Sequence, residues 1–199
     1  MSFDPRTLDF YDTNAADYAR FAAPEGPYPR LERFLSLMPE GARVLDLGCG
    51  TAWAAAAMRD AGLQADAMDA SEGLAEQARA LYGIEVRRGR FRTLSVRQRY
   101  HGIWCHFALQ HAERTDRPQI FERLHTALKP GGLLYLSAQK GPVEWRDAHD
   151  RLYCPFREED LRDLLAGAGF DEPEFETDSG KMYDGTSTLN IYAWARSHA

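Results

Sequence analysis

Two carboxylates 23 positions apart, each closing an apolar stretch, carry the first chemical signal: Asp46 in Val44-Leu45-Asp46-Leu47 and Asp69 in Ala67-Met68-Asp69. Asp46 leads into Gly48-Cys49-Gly50-Thr51-Ala52 and then an alanine-rich segment, which together read as a strand-loop-helix joint. Glycines at alternate positions reach backbone conformations closed to residues with a Cβ, and they let a ligand approach the main chain. The helix beyond offers unpaired N–H groups. A dinucleotide site would need a glycine where Trp53 stands, and a carboxylate in the turn would repel a pyrophosphate. The Gly-Lys-Ser/Thr ending of a triphosphate loop is also missing. A cationic or hydroxylated ligand fits better. Asp69, at the carboxyl edge of the neighbouring strand, can accept two charge-assisted bonds from vicinal hydroxyls. Its competing role is a helix N-terminal acid beside Ser71, the cap of a helix over 72–82.

His106 and His111 are candidate proton acceptors, because imidazole titrates near neutrality. His106 lies within the apolar run Gly102–Phe107 and reads as a satisfied core group. His111, past the end of that run, is the better base, needed only if the acceptor carries a proton that it does not readily lose.

These residues must be positioned by alternating strands and helices. The spacing predicts strands at 43–47, 64–69, 84–87, 102–107 and 133–137, with helices at 29–38, 52–61, 72–82, 116–128 and 158–167. Strands at 173–177 and 187–196 follow, joined by a short loop and therefore antiparallel. Upstream, Tyr11, Ala15, Tyr18 and, a turn on, Phe21 or Ala22 share one face of a single helix over about 8–22, set off by the Pro and Gly cluster at 24–29. The polar and aromatic stretch 138–156 follows a strand at the ligand edge and is assigned to a substrate lid, with Arg146, Arg151 and Tyr153 as anion or aromatic contacts.

Composition narrows the class. The 199 residues read as a single domain with 44% apolar content and a net charge of −6, which argues against a nucleic-acid surface. Arg87, Arg88, Arg90, Arg92, Arg97 and Arg99 form a local exception, read as a solvated stretch. Cys49, Cys105 and Cys154 are odd in number and widely spaced, so neither a metal site nor a disulfide framework is expected. No membrane span or leader is indicated, and a cytoplasmic protein is expected.

The glycine joint resembles the first motif of the class I S-adenosylmethionine-dependent methyltransferases, acid-x-Gly-x-Gly-x-Gly, with Ala52 in place of the third glycine. The resemblance extends over roughly residues 8–196. Lys129-Pro130-Gly131-Gly132 matches the family's turn before strand five. It implies a Rossmann-like, doubly wound, mainly parallel seven-stranded sheet with one antiparallel C-terminal strand and helices on both faces. It further implies a cofactor, S-adenosylmethionine, left as S-adenosylhomocysteine, held by Asp46, Gly48, Cys49, Gly50, Asp69, Ala70, Phe91, Phe107, Ala108 and His111. The N-terminal helix would lie over the cofactor, with Tyr11 and Tyr18 as lid residues and Arg20 on its carboxylate. Arg90 departs from the pattern, standing where many relatives place an acid that meets the adenine amino group. The Asn/Asp-Pro-Pro-Tyr/Phe motif of nucleobase N-methylating relatives is absent, so a small-molecule acceptor is expected, with the protein a monomer or homodimer. The competing readings are a non-catalytic S-adenosylmethionine-binding protein and a nicotinamide-dependent oxidoreductase, the latter opposed by Trp53.

Overall fold

The computed structural model describes residues 4–198. Asp4 caps the first helix, α1 (Pro5–Thr13), by accepting the Thr7 N–H at 2.9 Å, and Pro5 fills the first turn where no N–H is needed. A second helix, α2 (Ala15–Ala22), follows at once. One continuous helix was expected there. Asn14 breaks it, because its side-chain amide donates to the Phe10 carbonyl at 2.9 Å and competes with the helical ladder.

The chain then alternates: α3 (Pro29–Ser36), β1 (Arg43–Leu47), α4 (Trp53–Asp60), β2 (Gln64–Asp69), α5 (Glu72–Tyr82), β3 (Val86–Arg88), β4 (Tyr100–His106), α6 (Arg117–Ala127) and β5 (Leu128–Gln139). A small hairpin, β6 (Trp145–Arg146) and β7 (Leu152–Tyr153), precedes α7 (Glu158–Ala168), β8 (Glu174–Lys181) and β9 (Ser187–Arg196). β5 runs longer than expected at both ends. The Lys129–Gly132 turn is absorbed as an irregularity against β4, where the register shifts between Tyr100 and Gly102.

The main sheet has the order β3-β2-β1-β4-β5-β9-β8. β1 to β5 are parallel, and β9 alone runs against its neighbours. Alternate strand residues feed two apolar layers. Leu45, Ile103, Cys105, Leu134 and Leu136 pack with α6 and α7 residues on one face. Val44, Trp104, Tyr135 and Trp194 pack with Phe34 and Met58 on the other. Trp104 and Tyr135 stack there with ring centroids 3.8 Å apart. The same alternation sets His106 on the Trp104 face. In an open parallel sheet the carboxyl ends of the strands form the ligand crevice, and here those of β1, β2, β4 and β5 open beneath α1 and α2.

Candidate active site

The crevice is a cavity of about 390 Å3, walled by Gly48 to Thr51, Met68 to Ser71, Gly89 to Phe91, the segment after β4, and side chains of α1 and α2. The glycine loop forms its floor. Gly48 and Gly50 adopt φ of 69° and 55°, and Ala52 takes the left-handed region at 59° without being glycine. A Cβ on Gly48 would lie 2.3 Å from the Ala108 Cβ, whereas one on Gly50 would meet open space. The loop's N–H groups turn inward: Gly48 and Cys49 donate to the Met68 carbonyl at 2.8 and 3.1 Å, and Gly50 donates to Asp69 Oδ2 at 2.8 Å. The sequence suggested donors facing a ligand. These three N–H groups are spent within the protein, and the Thr51 hydroxyl oxygen is buried with no hydrogen-bond partner among the described residues.

Asp69 stands on the wall with one N–H on each oxygen, from Gly50 and, at 2.9 Å, from Ser71. Each oxygen keeps a further lone-pair direction for a hydroxyl donor. Burial raises its pKa, while these two N–H groups oppose that rise. Ser71 caps α5 by accepting from Leu74 at 3.1 Å and donates its own N–H to Asp69, so the cap is Ser71 and not Asp69. Asp46 is different. It sits beneath the loop, 2% exposed, and accepts the Ala55 N–H of α4 at 3.0 Å instead of reaching the cavity. Burial, with the Asp69 charge adding to it, pushes its pKa up to about 7.

α1 and α2 roof the cavity. Asp12 ties them to α5 by accepting from the Ser71 hydroxyl at 2.6 Å and the Gly73 N–H at 3.2 Å. Tyr11 and Tyr18 face inward with ring centroids 5.0 Å apart. His111 donates from Nδ1 to the Leu152 carbonyl at 2.7 Å, leaving Nε2 to accept from the Tyr11 hydroxyl at 3.0 Å. Burial holds its pKa down at about 4, so the ring is neutral at neutral pH. Arg151 donates to the same hydroxyl at 3.2 Å and forms a buried pair with Asp147 at 2.6 Å, both side chains 1% exposed. Its guanidinium also lies over the Phe10 ring at 4.5 Å.

Residues 44–132 match the family model described as "Methyltransferase domain", a span that holds the glycine loop, both carboxylates and both histidines. That span is similar to methyltransferase domains. No curated protein matches the chain. Solved structures share its fold at low identity. The Burkholderia thailandensis 1,6-didemethyltoxoflavin-N1-methyltransferase, crystallised with its substrate and S-adenosylhomocysteine, superposes with a TM-score of 0.77 at 19% identity over 98% of this chain and 88% of that one. Haemonchus contortus phosphoethanolamine N-methyltransferase 2 with S-adenosylmethionine gives 0.75 at 15%, over 97% and 60%. The [4+2]-cyclase SpnF gives 0.72 at 17%, over 96% and 95%, so the fold by itself does not fix the reaction.

Most of the expected residues converge: Tyr11, Tyr18, Gly48, Cys49, Gly50, Asp69, Ala70, Arg90, Phe91, Phe107, Ala108, His111, Arg151 and Tyr153 all line the cavity. Three do not. Asp46 lies below the floor, as described. Arg20 is two residues beyond Tyr18, about 200° around the helix, where it is exposed and pairs with Asp17, so it does not face a cofactor carboxylate. Arg146 binds Asp4 at 2.7 Å outside the cavity and holds that carboxyl down at about 2. His106 is satisfied, as expected of it, and reaches the cavity as well. It lines the cavity, with Nδ1 2.8 Å from Ser137 Oγ and 3.2 Å from the Tyr135 hydroxyl. Burial lowers its pKa to about 3. Tyr28, Trp53, Gln139, Met182, Tyr183 and Asn190 complete the wall, brought from elements far apart in sequence with no local motif to mark them.

The cofactor's chemical demands match this wall. Gly50 leaves space where any side chain would intrude, Thr51 holds an unpaired buried oxygen, Asp69 offers acceptors for a diol, and Met68, Gly89 and Phe91 form an apolar slot. Gly89 packs so tightly on Met68 that a Cβ would lie 2.4 Å from its methyl. Among the described residues no His/Cys/Asp/Glu cluster could hold a metal, and no helix is long and apolar enough to cross a membrane.

Proposed function

We propose that this enzyme methylates a small-molecule acceptor seated between the carboxyl ends of β4 and β5 and the roof of α1 and α2. The observation that carries this is the roof itself: two helices pinned through Asp12, and joined by Tyr11 to His111 and Arg151, cover a cavity of about 390 Å3. That volume lies in the range of small-molecule sites.

Asp69 would hold the ribose hydroxyls, Met68 and Phe91 the purine, and Gly48 to Thr51 the amino-acid end. Bound S-adenosylmethionine supplies an electrophilic methyl carbon, to which the acceptor's lone pair bonds as the carbon–sulfur bond breaks and its electrons neutralise the sulfonium. The protein's work is orientation and exclusion of water. Tyr11, Tyr18 and Tyr153 close the acceptor side, and Phe107, held at φ 48°, sits where β4 ends. His111 serves as base only if Tyr11 releases its Nε2; otherwise it acts as part of the latch. Both histidines are neutral and weakly basic, which favours an acceptor nitrogen over an alcohol. Residues 1–199 act as a single catalytic unit with 138–156 as the substrate lid, in the cytoplasm, as a monomer or homodimer.

The test is methyl transfer from labelled S-adenosylmethionine across a panel of small nitrogenous acceptors. Label transferred to one or more members supports the reading. Cofactor binding without transfer to any of them would favour a non-catalytic binding protein.

A further inference from the structure

Gln139 and Asn190 face each other across the β5–β9 pair, and both reach the cavity wall. They are 6% and 5% exposed, yet Gln139 Oε1 and Asn190 Oδ1 are buried with no hydrogen-bond partner among the described residues. Folded proteins seldom leave such acceptors unsatisfied, since the bonds to water are forfeited. The orientation of Asn190 is fixed. Its Nδ2 donates to Asp178 at 3.0 Å, and Asp178 also accepts from the Tyr192 hydroxyl at 2.9 Å and from Arg30 at 3.2 Å. A flipped amide would set oxygen against that carboxylate, so Oδ1 is turned away from Asp178.

The strand registers extend this strip. Gln139 follows Ser137 by two residues and shares its face, and Ser137 pairs with His106. The rings of Tyr28, Trp53 and Phe107 pack around the His106 ring in T-shaped contacts with centroids at 5.2, 5.9 and 4.7 Å. Charge is scarce here. Arg151 is neutralised by Asp147, Arg30 is committed to Glu176 and Asp178, and Lys181 is exposed at the rim. A carboxamide offers an acceptor and a donor side by side, the complement of a ring N–H next to a carbonyl.

We propose that Gln139 and Asn190 determine acceptor specificity, and that the acceptor is a neutral, flat heterocycle whose ring N–H groups, set beside carbonyls, donate to their two orphan oxygens. This rests on the methyl-transfer reading and names its substrate class. An aliphatic amine would leave the aromatic side chains of the wall unused. A catechol presents hydroxyls without the neighbouring carbonyl.

The experiment is calorimetric titration of the protein, saturated with S-adenosylhomocysteine, with lumazine, xanthine, catechol and ethanolamine, repeated on Gln139→Leu and Asn190→Ala. The expected result is binding of lumazine or xanthine but not of catechol or ethanolamine. Each variant should weaken that binding at least about tenfold, while S-adenosylhomocysteine affinity is unchanged. Gln139→Leu should also unfold at the wild-type temperature or above, because it removes a buried orphan. Variants that bind the lactam rings like wild type, or preferential binding of catechol or ethanolamine, would overturn the proposal. Bound S-adenosylhomocysteine with neither lactam ring taken up would overturn it alone; failure of S-adenosylhomocysteine itself to bind would overturn the methyl-transfer reading too.

Discussion

The hydroxyl of Tyr11 lies 3.0 Å from Nε2 of His111, joining the roof helix α1 to the end of β4 across 100 residues of sequence. Because Nδ1 is fixed by the Leu152 carbonyl, the imidazole can only accept here, and the Tyr11 proton points at it.

Tyr11→Phe removes this bond and the one from Arg151. The loss leaves a buried acceptor and a buried donor unpaired, at a cost of roughly 1–3 kcal/mol. Urea unfolding should show that destabilisation, and stopped-flow release of S-adenosylhomocysteine should be faster than from wild type. Unchanged release would separate the roof from cofactor retention.

Asp147→Asn tests the buried pair with Arg151. A guanidinium that is 1% exposed and stripped of its carboxylate should cost about 3–5 kcal/mol, and Asp147→Asn combined with Arg151→Met should recover much of it. Chemical denaturation of the three variants checks this. A cost under about 1 kcal/mol for the single variant would mean that the guanidinium finds water.

The two loop glycines should separate folding from binding. Gly48→Ala drives a Cβ to 2.3 Å from Ala108 at a left-handed φ, so soluble folded protein should be scarce. Gly50→Ala meets open space and costs only about 1–2 kcal/mol of backbone strain, yet it adds a methyl to a residue that lines the cavity. Circular dichroism with cofactor titration should find Gly50→Ala folded and impaired in binding.

Much of this arrangement was legible in the sequence. The two carboxylates, the alternate glycines and the strand-helix spacing located the joint, because local patterning marks strand ends and turns directly. Asp46 shows where that stops. A carboxylate at a strand end can face a ligand or turn under the loop onto a helix N–H, and only the packing of α4 decides. Arg20 and Arg146 were drawn outward by nearby Asp17 and Asp4. Gln139 and Asn190 were invisible for another reason: a polar residue at the end of a strand carries no signal of its own until β9 is paired beside β5.

Acidity links binding to the buried carboxylates. Asp46, pushed up to about 7 by burial, binds protons near neutrality, and burial also raises Asp69. A cationic ligand in the cavity, above Asp46 and against Asp69, favours the carboxylate forms, so binding releases protons and affinity should rise as pH passes through about 7, the Asp46 range. S-adenosylmethionine, with its sulfonium, should show a steeper rise than S-adenosylhomocysteine. Titration in buffers of different ionisation enthalpy measures the protons released; proton uptake would contradict the assignment.

The most direct test of the central claim is calorimetric titration of wild type and Asp69→Ala with S-adenosylmethionine and S-adenosylhomocysteine. The account predicts that wild type binds both. It also predicts that the variant loses about 2–4 kcal/mol of affinity for each, the worth of two charge-assisted bonds to the ribose. Wild type that binds neither ligand, or a variant that binds both as tightly as wild type, would contradict it.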